Sequence, residues 1–424
     1  MARDDLDIVT AAGELERIGR AEIVVGIPGP PGGRTVRATV AAASAGLARA
    51  YPGASCAVVV ADPGRREGTP EPAGPPVEGG APVLVVRPHA GPPPALAAPR
   101  GGLPLERESV RSVLLAVERL GARACALVDG DVRGFAADWV RRLVEPVLHD
   151  GLDLVAPLYD RHRYDGLLTA GLVYPLTRAL YGLRVRQPVA GHLALSAGLV
   201  GRLLRSGVWD RGAGPGALDV WMTTTALAEG LRVGQAHLGT WRRGTPGADA
   251  DLGATFSRVV STMFGLMEDY RPAWWAVVGA AEVPSYGPPP GVGLDPVSVN
   301  VDRMISTFRQ GALELASVWR RALTPETAGA VAALGEDGAP PFTFPPELWA
   351  RAVYDCAAAY HRRALPRSHL LRAIIPLYLG RAAAFVLRTE RSDAAGVEAE
   401  IEALCGAFEA MKPHLLDRWD APRP

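Results

Sequence analysis

The sequence predicts an α/β protein: a sheet of buried strands with helices between them, followed by an all-helical C-terminal region. Three observations carry this. Short apolar runs rich in Val, Ile and Leu recur at Ala21–Pro28, Ser55–Asp62 and Cys125–Val132, as expected for strands covered on both faces. The first two are joined by a segment with helical spacing, which makes a βαβ unit. From about Val297 the apolar period becomes three and four, the mark of amphipathic helices.

Taken in order, Ala21–Pro28 is the first strand, and the Pro/Gly-rich residues 29–33 turn the chain. Val36, Val40, Ala43 and Leu47 then share a helix face. Ser55–Asp62 is the second strand and ends in a carboxylate. Residues 63–104 are a long Pro/Gly-rich loop around one short strand, 83–87; such loops are usually functional or disordered. Val110, Val113, Leu114 and Val117 mark a helix. The next strand ends in Val128-Asp129-Gly130-Asp131, and a helix opens near Asp138. A strand over 151–158, a helical 171–181, a tight turn at 185–192, a helix from Leu218 and a last strand over 233–238 complete this part. Pro288-Pro289-Pro290 and neighbouring glycines mark 284–296 as the linker. Ile305, Phe308, Ala312, Leu315 and Trp319 predict one helix, and three more cover 347–363, 368–388 and 394–412, with Pro376 a candidate kink. The division expected is 1–285 for the α/β domain and 286–424 for the helical region.

In open α/β sheets ligands bind past the carboxyl ends of the strands. Asp129 and Asp131 stand there, and two hard oxygen donors suit Mg²⁺ or Mn²⁺ holding a diphosphate. Asp-Gly-Asp is equally good turn chemistry. Asp62 ends its strand in the same way and suits a base or ribose contact, or a loop cap. If helical, Arg161, Asp165 and Thr169 fall near one face, where an Arg and a hydroxyl grip a carboxylate; a surface Arg–Asp pair is the plainer reading. Asp219, near a helix start, is a cap or a catalytic carboxylate. His237 reads as a packed histidine rather than a ligand.

Composition narrows the classes. The chain has 424 residues, 48% hydrophobic, enough for a substantial core. Lys+Arg and Asp+Glu are both 45, so nothing electrostatic favours nucleic acid or an anionic membrane as partner. Lys412 is the sole lysine, so any phosphate clamp must use Arg or backbone N–H groups. The four cysteines are far apart and lack metal-ligand spacing, which fits buried thiols in a reducing, cytoplasmic setting. The N-terminus has no apolar h-region, and no membrane span is expected. There is no Gly-x-Ser-x-Gly, and no Gly-x-Gly-x-x-Gly after the first strand, so hydrolase and dehydrogenase readings lack support.

Over nearly its whole length the chain resembles the glycosyltransferases that make mannosylglycerate and glucosylglycerate. The resemblance rests on Ile23–Pro28, Val128–Asp131, Arg161–Thr169, Arg186-Gln187-Pro188, Asp219–Thr225, Phe344–Arg351 and Pro376–Arg381. It implies a GT-A fold, a Rossmann-like mixed sheet, with a helical C-terminal region. It implies transfer of a hexose from a nucleotide sugar (GDP-mannose, or a UDP- or GDP-glucose) to D-glycerate or a similar small hydroxy acid, with retention. By this resemblance Asp131 and Asp129 are metal ligands for Mg²⁺ or Mn²⁺, Arg161 and Thr169 bind the acceptor carboxylate, and Asp219 and Asp165 are catalytic candidates. Pro28, Asp62, Arg100 and Asp129 are the donor-binding candidates. A homodimer is an open expectation.

The donor half departs from the family pattern. Gly29-Pro30-Pro31-Gly32 replaces a Ser-Tyr-Asn type turn, and Pro99-Arg100-Gly101-Gly102 replaces a Gly-Lys-Gly element. Arg100 in place of the Lys is not an equivalent. Ala190-Gly191-His192 lacks the acidic residue, and Leu238–Gly244 lacks the His that is normally the third metal ligand. Arg242 or Arg243 is the candidate replacement at the diphosphate. The alternative expectation is a degenerate, non-catalytic GT-A protein acting as a binding or regulatory partner.

Overall fold

The computed structural model describes residues 12–28, 34–62, 78–86, 107–130, 132–133, 135–189, 191–209, 217–240, 242–243, 252–288, 297–336 and 342–420. It divides into two units. The first comprises 1–160, 189–251 and 283–291; the second comprises 161–188, 252–282 and 292–424. Where one boundary near 285 was expected, the division is thus interleaved. Segments 161–188 and 252–282 pack with the C-terminal helices because their apolar faces find partners there: Tyr174 with Ile401 and Cys405, Phe256 with Tyr378, and Phe264 with Tyr360.

The first unit is a mixed sheet flanked by helices. Its strands are β1 (Ile23–Pro28), β2 (Cys56–Ala61), β3 (Val83–Val86), β4 (Ala124–Val128), β5 (Val132–Arg133), β6 (Leu154–Asp160), β7 (His192–Ser196), β8 (Val233–Thr240), β9 (Arg242–Arg243) and β10 (Ser285–Tyr286). Eight of them form one sheet in the order β10-β8-β6-β7-β4-β1-β2-β3. Only β7 runs antiparallel to its neighbours in this sheet, β4 and β6. β5 and β9 form a separate antiparallel ribbon. All six residues of β1 are buried, as the unbroken apolar run required. Helices Arg34–Ala50 and Ala137–His149 cover one face through Val36, Val40, Leu47, Trp139, Val140, Leu143 and Val144. Helix Arg107–Arg119 approaches the sheet so closely at Gly26 that a Cβ there would stand 2.3 Å from Val113 Cγ1. That approach is why the strand carries a glycine.

Two differences from the sequence reading have physical causes. β7 was not foreseen because His192-Leu-Ala-Leu runs without a break into helix Ala197–Leu204; the punctuation is Ser196, whose hydroxyl accepts from Leu199 N at 3.1 Å as an N-cap. The start of the expected linker is instead a strand: β10 pairs parallel with β8, and Gln235 Nε2 donates to Ser285 Oγ at 2.9 Å.

The second unit is helical. Its helices are Tyr174–Tyr181, Leu252–Asp269, Arg271–Trp275, Val301–Glu314, Ala316–Ala322, Pro325–Glu336, Pro346–His361, Arg367–Thr389, Ala394–Ala410 and Lys412–Trp419. The single helix read through Ile305–Trp319 is two, separated at Leu315, whose N–H still bonds Gly311 O. Helix Arg367–Thr389 is long and apolar enough to cross a membrane by length and composition, yet most of it is buried inside the protein.

Candidate functional site

In the first unit, parallel pairing fixes where the donor candidates stand. β4, β1 and β2 are adjacent, with Gly26 opposite both Leu127 and Val59, and Pro28 opposite Ala61. Their carboxyl ends therefore lie along one edge, where Pro28 ends β1 and Asp129 and Asp62 each follow the last residue of a neighbouring strand. Asp62 is buried at 2% exposure, and its N–H bonds Val86 O at 2.8 Å. Asp129 is half-buried. Two glycines shape its surroundings: a Cβ on Gly191 would lie 3.1 Å from Asp129 Cβ, and one on Gly130 3.2 Å from Ile27 Cγ2. A side chain at Gly130 would thus crowd Ile27, and one at Gly191 would crowd Asp129.

Asp131 and Arg100 lie outside the described residues, as do the turn at 29–33 and most of the loop at 63–104. The backbone on either side of Asp131 is informative nonetheless. Val132 pairs with Arg243 and Arg133 with Arg242. The ribbon brings the chain leaving Asp-Gly-Asp beside the Arg-Arg pair that follows β8. Sequence reasoning named both segments; it did not foresee their pairing, since each strand has only two residues.

Further along the same edge, β7 begins at His192, opposite Val128. The Tyr159 hydroxyl and His192 Nδ1 are hydrogen-bonded at 2.6 Å, and the Trp139 ring stands edge-on to His192. His237 is indeed packed in β8, but it also makes a specific pair: Nε2 lies 2.9 Å from Asp160 Oδ1, while its carbonyl accepts from Arg142 at 2.9 Å. Asp219 sits in the first turn of helix Leu218–Ala228, where a carboxylate favours the helix dipole. The N-cap is Ala217, so Asp219 is not the cap; its Oδ1 accepts from Val220 N at 2.9 Å.

In the second unit, the proposed common helix face of Arg161, Asp165 and Thr169 is not formed. Residues 163–166 are a turn, with Asp165 N bonded to His162 O at 2.8 Å. Gly166 has φ +77°, and helix begins only at Leu167. Arg161 instead folds over the turn: a Cβ on Gly166 would meet its Nη1 at 3.2 Å. Thr169 opens a π-helical turn, Thr169–Val173, whose Thr169 carbonyl accepts from Tyr174 N. Such turns often mark functional sites.

Residues far along the chain hold this segment. Trp349 Nε1 donates to Gly171 O at 2.9 Å, and Arg163 Nη1 donates to Thr389 O at 2.9 Å and Ser392 O at 2.6 Å. Arg178, 4% exposed, bonds Glu402 and Glu409 at 2.7 Å each. Arg186 bonds both oxygens of Glu398, at 3.2 and 3.1 Å, and lies over the Tyr174 ring. Arg186 and Trp349 both belong to motifs noted in the sequence, and here they do structural work in the second unit. The four cysteines are free, and burial pushes the Cys125 thiol up to about 12.

As to the expected divalent metal, Asp129 is the member of the carboxylate pair among the described residues. Those residues gather no group of three His, Cys, Asp or Glu side chains able to hold a metal ion. The described donor set is therefore not a metal site by itself.

No family model matches the chain, and no curated protein does. Among solved structures, the chain is similar to glucosyl-3-phosphoglycerate synthase from Mycobacterium tuberculosis. Its complex with Mn²⁺, UDP-glucose and phosphoglyceric acid is 21% identical, with 60% of this chain and 82% of that chain covered and a TM-score of 0.40. The complex of that enzyme with Mg²⁺ and UDP gives 20% identity, 61% and 83% coverage and a TM-score of 0.40. A mycobacterial protein gives 21% identity, 61% and 78% coverage and a TM-score of 0.42.

Proposed function

We propose that this chain is a glycosyltransferase that moves a hexose from a nucleotide sugar to D-glycerate or a similar small hydroxy acid, with retention. The observation that carries the reading is the alignment of Pro28, Asp62 and Asp129 along the carboxyl edge of three adjacent parallel strands, where α/β sheets bind ligands. The β5–β9 ribbon adds the Arg242-Arg243 backbone beside the Asp-Gly-Asp turn. In this reading Pro28 and Asp62 face the nucleoside, Arg100 and the Arg pair meet the diphosphate, and Arg161 with Thr169 receives the acceptor carboxylate. Asp219 and Asp165 are the carboxylates assigned to the reaction. Asp129 and Asp131 would hold Mg²⁺ or Mn²⁺, whose contribution is to neutralise the departing diphosphate. Positioning of donor and acceptor supplies much of the remaining rate.

A second reading is a non-catalytic GT-A protein that binds nucleotide or a partner. It is favoured by the absence of a three-ligand group among the described residues and by the lack of His in Leu238–Gly244. Calorimetric titration with GDP and UDP, each with and without Mn²⁺ or Mg²⁺, separates the two. Metal-dependent binding supports the carboxylate pair and identifies the nucleotide. Binding without metal moves the diphosphate contact to the arginines. Failure of both nucleotides under every condition would overturn the transferase reading.

A further inference from the structure

We propose that a cavity in the first unit, at the amino ends of β1, β2 and β3, binds a small organic phosphate. Ile23, which opens β1, pairs with Cys56, which opens β2, and Val83 opens β3. Ser55, Cys56 and Pro82 line the cavity at these strand starts. Ala48 and Tyr51 line it from the end of helix Arg34–Ala50 and the turn that follows. Its volume is about 630 Å³, within the usual range for small-molecule sites, about 300–1,000 Å³. The charge of its lining is one-sided. Arg17 and Arg20 line it, and no Asp or Glu among the described residues does. Helix Ala12–Ile18 stops at Gly19, whose φ of +72° turns the chain, so Arg17 and Arg20 border the same cavity from either side of the turn.

Neither guanidinium has a carboxylate partner among the described residues. Arg20 Nε and Nη2 stand 3.7 Å from where a Cβ on Gly121 would be. Both side chains are exposed on long stems, so each can turn over the cavity at the cost of rotamer freedom alone. Nearby groups do not oppose an anion. Glu22 is engaged by Arg123, whose guanidinium donates to it. Burial and Glu22 push the Cys56 thiol up to about 11, so it stays protonated. Ser55 Oγ accepts from Glu22 N at 3.1 Å and keeps its own O–H to donate. Two guanidiniums match the charge of a phosphomonoester dianion and bind it through charge-assisted bonds. Ile18, Pro52, Ala54 and Pro82 add apolar wall, which suits an organic body on that phosphate. β1 has six residues, so about 20 Å separates this cavity from the strand ends at Pro28 and Asp62. The occupant is therefore neither donor nor acceptor of the proposed transfer, and the site does not depend on that reading.

The test uses phenyl phosphate as the probe and Cys56 as the reporter. Cys56 lines the cavity and is half-buried, while Cys125, Cys356 and Cys405 are buried and serve as internal controls. Alkylation of the full chain by N-ethylmaleimide is followed by peptide mass spectrometry. Phenyl phosphate should slow alkylation of Cys56 saturably, and uncharged phenol should not. The double variant Arg17→Gln/Arg20→Gln changes two exposed side chains and should keep the wild-type Tm. It should need about tenfold more phenyl phosphate for the same protection. If Cys56 does not react in the free protein, equilibrium dialysis decides: the wild type should bind phenyl phosphate about tenfold more tightly than the double variant. Three results would each overturn the proposal: neither protection nor binding, equal protection by phenol, or undiminished affinity in the double variant.

Discussion

In the first unit the candidate residues stand at strand ends, each positioned by backbone pairing; in the second they stand in a turn held by side chains from distant helices. Pro28, Asp62 and Asp129 owe their alignment to parallel register alone. Arg161, Asp165 and Thr169 lie in a turn and a π-helical segment held by Trp349 and Arg163, while Arg178 and Arg186 anchor the helix and turn that follow. The difference teaches where each half is vulnerable. On the proposed function, a substitution at a strand end should remove chemistry and spare the fold, whereas one behind the turn should alter geometry without touching a ligand.

The largest expected effect tests the chemistry. Asp129→Ala, or Asp131→Ala, should lower turnover by about 10²–10³-fold, as loss of a main electrostatic stabiliser does, with the melting temperature nearly unchanged. Arg161→Ala should instead raise the KM for the acceptor more than it lowers kcat. Full activity in the first variants would remove the metal mechanism, and an unchanged acceptor dependence in the third would remove the carboxylate contact.

Next in size is the stability of the second unit. Arg178→Met leaves Glu402 and Glu409 without their shared cation. The carboxylates left behind are partly exposed, so the cost is that of lost charge-assisted hydrogen bonds, about 1.5–3 kcal/mol, readable as a shift in denaturant midpoint. In the first unit the matching probe is Gly26→Ala, which forces Val113 aside. Overpacking of this kind costs about 1–3 kcal/mol. A Gly26→Ala protein as stable as wild type would mean that the helix withdraws freely from the sheet.

The sequence made the first unit legible because strand, helix and strand each wrote their own period. β1, β2, β4 and β8 were found from apolar runs, and the carboxylates at their ends followed from position. What escaped was whatever depends on pairing partners. β7 is hidden by the apolar helix that follows it, and β5 and β9 have only two residues each. The common face that Arg161, Asp165 and Thr169 would share if helical is not formed, because their helical spacing runs across Gly166, whose positive φ interrupts a helix. In the second unit, the helices at 252–269 and 325–336 were missed, while the motif residues Trp349 and Arg186 were noted without their contacts. A motif does not announce that its indole bonds a carbonyl 178 positions earlier.

That indole gives a smaller effect and a sharper one. Trp349→Phe keeps the packing against Phe344 and Tyr378 and removes the bond to Gly171 O. About 1 kcal/mol of stability should be lost. If the second unit serves to shape the acceptor turn, the KM for the acceptor should also rise, with nucleotide affinity unchanged. Equal changes in donor and acceptor parameters would dissolve the contrast between the halves.

The smallest effect concerns the sole lysine. Lys412 is buried, and its Nζ donates to Ala179 O at 2.9 Å and Val277 O at 2.7 Å. Burial lowers its pKa to about 8, against about 10.4 in an unfolded chain. Below pH 8 both states hold the proton, and the cost of burying the charge is constant. Between roughly pH 8 and 10.4 the unfolded state holds more protons at this site, so the contribution of Lys412 to stability rises with pH. The neutral amine keeps two N–H donors, enough for both carbonyls, so deprotonation need not break the contact. The four buried thiols, whose pKa values burial raises, work in the opposite direction in both proteins, so the slope of stability against pH across this window should be more positive in the wild type than in Lys412→Met. Equal slopes in the two proteins would mean that the two carbonyls hold the ammonium charged, and that this strut of the helical unit is ionic rather than neutral at alkaline pH.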